Sequence, residues 1–168
     1  MLREIEAGVI ARLKVAGLGV KKIGSADDVT GMNTPEIAVA INTGTFAPLT
    51  IEKRRLNVTI SVYVLFKCLG KLDERQRGIY PIVEGVVGYL MGQTLGLSIN
   101  PIAPRSFRDA TPPEYREIGQ TVYQVDLETA YPVSAIDESE AVELVTLGLN
   151  YYIKPGDDVA DAQDIVEI

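Results

Sequence analysis

Asp126 and Glu128 stand two residues apart, a spacing that sets both carboxylates on one side of an extended chain, where such a pair can share acid–base work. A solvent-facing strand side explains the same pair more economically, because carboxylates seldom go inside without a partner. No histidine accompanies them anywhere in the 168 residues. That removes the commonest general base, the commonest zinc ligand and the middle member of Ser-His-Asp or Cys-His chemistry. Cys68, the sole cysteine, lies in the apolar run Val64-Leu65-Phe66-Lys67-Cys68-Leu69 and reads as a buried spectator. It has no thiol to pair with, and only Lys67, Lys71 or a distant arginine could activate it. Glycine-rich phosphate loops, metal-spaced cysteines and nucleophile elbows do not occur. No catalytic residue, metal ligand or cofactor site is therefore assigned.

The charged clusters carry more. Lys53-Arg54-Arg55 is the strongest basic group and precedes a long strand pattern. It fits a solvated sheet edge protected from misassociation, or an intersubunit contact, better than a phosphate site. A net charge of −7 argues against a broad nucleic-acid footprint. From Pro155 onward the chain holds Asp157, Asp158, Asp161, Asp164 and Glu167 and no basic residue. Oxygen ligands suit calcium, but the spacing is not that of an EF-hand loop, so a solvated or docking acidic arm is expected. Tyr151-Tyr152 puts one ring on each side of a strand, and tyrosine is enriched at interfaces. The candidate interface set is Lys53, Arg54, Arg55, Phe107, Arg108, Tyr152, Asp157 and Asp158.

The elements that must position these residues follow from periodicity. Leu2, Ile5, Val9, Leu13 and Ala16 form a helical stripe over 1–16, stopped by Gly17 and Gly19. A short strand over 20–23 and a loop over 24–35 come next. Ile37, Val39 and Ile41 alternate with Ala38, Ala40 and Asn42 as a half-buried strand, and a loop is expected from Thr43 to about Lys53. The clearest strand spans 55–67, with Leu56, Val58, Ile60, Val62, Val64 and Phe66 on one side and Asn57, Thr59, Ser61, Tyr63, Leu65 and Lys67 on the other. Residues 73–93 read as a second helix with a kink or restart at Pro81 and with Gly85, Gly88 and Gly92 near one stripe, where close backbone packing against the sheet is expected to offset their cost. A proline-rich connection over 94–118, with a short strand at Ser106-Phe107-Arg108, leads to two strands at 121–134 and 142–153 that are expected to pair as a hairpin. The fold class is α+β, a mainly antiparallel sheet of about four to five strands with two helices packed on one face. The organisation is one domain over 1–154 and an acidic tail over 155–168. No apolar run approaches the roughly 20 residues needed to cross a bilayer, and the first residues lack signal-peptide order, so a cytoplasmic location is expected.

This order of elements, with the end Leu149-Asn150-Tyr151-Tyr152-Ile153-Lys154-Pro155-Gly156-Asp157-Asp158, resembles a family of Mu-like prophage tail proteins encoded near the contractile sheath. Its members look similar to tail terminators, which cap a finished tail tube and present a surface for head joining. The resemblance implies a tail-terminator-like subunit that forms a homo-oligomeric ring, typically a hexamer. The implied partners are tail tube and sheath or neck proteins. No catalytic residues, cofactor, membrane or direct nucleic-acid contact are implied, and the chain would pass from host cytoplasm into the virion tail. In that setting the loops 43–54 and 94–118 and the tail are the connectors. The alternative is a non-enzymatic adaptor or peptide- or ligand-binding module that uses the 94–118 loop.

Overall fold

The computed structural model describes residues 1–29, 34–67, 72–135, 146–151 and 162–167. The chain divides into two units, Met1–Ser134 and Ala135–Ile168.

In the first unit, helix α1 (Leu2–Val15) buries Ile5, Val9 and Leu13 completely, which is the stripe their spacing dictates. Gly17 and Gly19 then take φ of +63° and +69°, left-handed positions that only glycine adopts without strain, and the helix stops. Strand β1 (Lys22–Ser25) runs parallel to β2 (Glu36–Pro48), and β2 pairs antiparallel with β3 (Lys53–Lys67). Helix α2 (Leu72–Leu90) continues without a break through Pro81, so no restart occurs there. An edge strand β4 (Ala103–Asp109), a single helical turn α3 (Pro113–Glu117) and strand β5 (Gln120–Ser134) complete the unit. The sheet order is β1-β2-β3-β5-β4. The α+β class and the five-stranded, mainly antiparallel sheet match the expectation.

Alternation along β3 decides what each sheet face does. Val58, Ile60, Val62 and Val64 are buried beneath α1 and α2, together with Ile79, Val83, Val86 and Leu90 of α2 and Val125 and Leu127 of β5. Among the described residues the opposite face carries a small apolar group, Ala38, Leu65 and Val122, with Val29, Tyr63 and Tyr115 packed against it. Close approach explains two helical glycines. A Cβ on Gly78 would collide with the Phe66 ring, and one on Gly85 would collide with Leu18. The expected packing of Gly85 and Gly88 against the sheet is not what forms, since a Cβ at Gly88 would meet nothing within 4 Å.

Three further expectations are corrected. β2 does not end at Asn42. A bulge between Ala40 and Thr43 carries it on to Pro48, and the loop shrinks to a tight turn where Lys53 N–H donates to Thr50 Oγ1 at 3.0 Å. The 94–118 connection is built into the body. Ile99 and Ile102 are buried, Asn100 N–H donates to the Ala130 carbonyl at 2.8 Å, and the short strand expected at Ser106-Phe107-Arg108 forms as part of β4, residues 103–109. Both edges of β5 are taken, by β3 and β4, so the expected hairpin with the next strand is replaced.

In the second unit, β6 (Thr146–Tyr151) pairs antiparallel with β7 (Ala162–Glu167), a segment within the stretch expected as an acidic arm.

Candidate functional site

Three surfaces of the first unit leave interaction groups uncovered. The first is the far end of the β2–β3 ribbon. Lys53, Arg54 and Arg55 open β3, and all three are exposed without an ion-pair partner among the described residues. They do not guard a sheet edge, because β3 is flanked there by both Pro48 and Ala47 of β2 and Pro132 to Ser134 of β5. Beside them Phe46 is 69% exposed, Leu49 is half exposed and Ile51 is fully exposed. Apolar side chains clustered at a projecting turn add nothing to the core of their own chain, and such clusters mark contact sites.

The second surface is the flank of β4. This strand is the sheet edge, and α2 does not cover its helix-side face. Phe107 projects there, 63% exposed, and its ring stacks on Tyr123 at 6.5 Å while Tyr80 meets Tyr123 edge-on at 5.8 Å. Tyr80, Val83, Glu84, Val87, Gly88 and Phe107 line an open groove of about 400 Å³. Arg108, the next residue, faces the other side of the sheet. The alternation of a strand therefore separates two residues that the sequence grouped together.

The third surface is the open sheet face. Its polar residues interlock: Ser61 Oγ donates to Asp126 Oδ1 at 2.8 Å, Gln124 Nε2 donates to the same oxygen at 2.7 Å, and Ser106 Oγ donates to Oδ2 at 3.3 Å. Arg108 Nη2 and Nε both donate to Gln124 Oε1, at 2.9 and 3.3 Å. Both oxygens of Asp126 are thus occupied by donors, while Glu128 is exposed two residues along. The arrangement braces β3, β5 and β4 across one face. Nothing in it matches the shared-proton geometry that the Asp126 and Glu128 spacing first suggested. Ser61 and Gln124 are the members that pattern reading missed, and a polar residue recurring on one side of each of two adjacent strands was the available signal.

Tyr152, Asp157 and Asp158 lie outside the described residues, as does Cys68. Of the candidate set, the structure brings Lys53, Arg54 and Arg55 together and sets Phe107 and Arg108 apart from them. Among the described residues no group of three or more acidic or cysteine side chains is disposed to hold a metal ion, and no helix is long and apolar enough to cross a membrane.

Comparison with known proteins bears on the fold. No protein-family model and no curated protein sequence matches the chain. A chain in the virion of a native gene transfer agent particle has a similar structure. The TM-score is 0.62 at 11% identity, covering 77% of this chain and 95% of that one. The fold is therefore shared with a virion component.

Burial pushes the Tyr123 hydroxyl up to about 12, with help from its hydrogen bond to Tyr80 and the charge of Asp109. Burial also raises Tyr131. Well below pH 10 the Tyr123 phenol keeps its proton in both folded and unfolded chain, so its contribution is fully present. Between pH 10 and 12 the unfolded chain loses its protons first, and that contribution disappears. Tyr123→Phe should flatten the alkaline fall in stability by about 1 kcal/mol, allowing for solvent screening. Urea unfolding at pH 9 and pH 11.5 measures this, and an unchanged pH dependence would remove Tyr123 as its source.

Proposed function

We propose that this chain is a structural tail protein of a phage or prophage particle, a tail terminator or tail-completion protein. It closes into a homo-oligomeric ring, a hexamer, on the last layer of the tail tube and stops further addition. The observation that carries this reading is the fold likeness, which extends over nearly the whole of the gene transfer agent chain. Two unlike exposed surfaces on one subunit, the ribbon end and the β4 flank, support it, because heterologous association into a ring needs two different patches. The protein works by shape and charge, not by catalysis. Its partners are its own copies, tube subunits, and sheath or neck proteins. It assembles in host cytoplasm and ends in the virion.

The experiment is the mass of the particle in solution, by sedimentation, alone and with purified tail tubes. A species of about six subunits is expected. A monomer under both conditions sinks the reading and favours a non-enzymatic adaptor, which would use the open groove beside Phe107. Replacing Lys53, Arg54 and Arg55 together by alanine should weaken assembly. The difference from the unmodified chain should be largest at low salt, where screening is weakest. An identical assembly profile at every salt concentration would deny the cluster that role.

A further inference from the structure

We infer that the groove between α2 and β4 is the socket for the β2–β3 turn of a second copy of this chain. The inference rests on the ring reading and names its contact. The socket is lined by Tyr80, Val83, Val87 and Phe107, with Gly88 as its open floor. Of the residues that line it, Glu84 alone is charged, and it makes no ion pair among the described residues. The groove lacks the converging buried polar groups that orient a small ligand. It asks for a short apolar projection with positive charge behind it.

The ribbon end has that form. Phe46, Leu49 and Ile51 are exposed at the turn, and Lys53, Arg54 and Arg55 follow, exposed and without ion-pair partners among the described residues. Arg54 and Phe46 share the helix-side face of the sheet, because Phe46 pairs with Leu56 and the alternation then returns Arg54 to that side. The same molecule cannot bring the two surfaces together. Lys53 is level with Ser134 on β5, whereas Phe107 is level with Val125, nine residues along, which is about 30 Å of extended strand. A rigid sheet holds them apart, so a contact between this turn and this groove needs a second copy. Repeating a contact between two unlike patches carries each subunit into the next, as ring closure requires.

Single-cysteine chains test the contact. In a Cys68→Ser background, Ile51→Cys and Gly88→Cys are made separately. Ile51 is fully exposed and a Cβ at Gly88 meets nothing, so both sites accept a thiol. The two chains mixed and treated with a short bismaleimide should give the 51–88 heterodimer about tenfold over either homodimer. A chain carrying both cysteines should give a ladder that ends at the ring's copy number. No preference for the 51–88 product overturns the inference. The mass of the unmodified chain then separates the failures: ring-sized particles without this cross-link sink the contact alone, and a persistent monomer sinks the ring as well. A second test needs no background change. Glu84→Arg should weaken association about fivefold to tenfold, and mixing it with Arg54→Glu should restore it. Additive losses with no rescue would also overturn the pairing.

Discussion

Leu127→Ala should destabilise the protein by about 3 kcal/mol, seen as a fall of roughly 8 °C in Tm or a matching shift of the urea midpoint. Leu127 is fully buried in β5 and stands opposite Ile60 of β3, also fully buried, at the middle of the sheet. Both belong to the cluster that α1 and α2 cover. β3 is paired along both sides, so the backbone around the lost side chain has little freedom to close in. The cavity therefore remains and its cost adds to the lost transfer free energy. Ile60→Ala should cost a similar amount, and the double variant should cost less than the sum because the two side chains border one space. A loss below about 1 kcal/mol for Leu127→Ala would mean that this pair is not the centre of the core.

Asp126→Ala is the second change with a large expected effect, about 2 kcal/mol. It strips the acceptor from Ser61, Gln124 and Ser106 at once. Ser61 and Gln124 are buried although the face is polar, so their donors have little access to replacement water. Leaving buried donors unmatched costs more than the net value of the bonds themselves. Asp126→Asn keeps one acceptor oxygen and should be milder, about 1 kcal/mol. Glu128→Ala, on the same face but exposed, should stay within about 0.5 kcal/mol. If Asp126→Ala proves as harmless as Glu128→Ala in chemical unfolding, the row is a set of independent surface groups and not a brace.

Legibility in the sequence followed the strength of the period. The α1 stripe and the β3 alternation were plain because most of each faces core on one side and more polar surroundings on the other. β2 was half legible. Its alternation holds from Ile37 to Ala40 and then fails at the bulge, so the outer strand looked like loop. β4 was legible only as the short strand at Ser106-Phe107-Arg108, because an edge strand that includes Pro104 and Arg105 buries almost nothing and need not alternate. Its pairing with β5 displaced the expected hairpin between 121–134 and 142–153, a case where adjacency in sequence is a weak guide once a preceding strand can claim the same edge.

For the site, charge was readable and direction was not. Lys53, Arg54 and Arg55 stood out by type, and the structure sets them at an exposed ribbon end. That Phe107 and Arg108 part company, and that Phe46, Leu49 and Ile51 remain uncovered, depends on which strands flank them. The groove itself joins α2 to a strand met many residues later, a juxtaposition that only tertiary packing creates.

The extra residue between Ala40 and Thr43 has a consequence for how such a chain can change over generations. Inside it, odd-numbered positions of β2 turn toward the helices; beyond it, even-numbered ones do. Losing one codon there would remove the bulge and keep both registers, with Ile37 still opposite Val64 and Phe46 still opposite Leu56. The surplus residue thus lets the ribbon absorb a one-residue shortening at this point, with every outer side chain keeping its face and its neighbours.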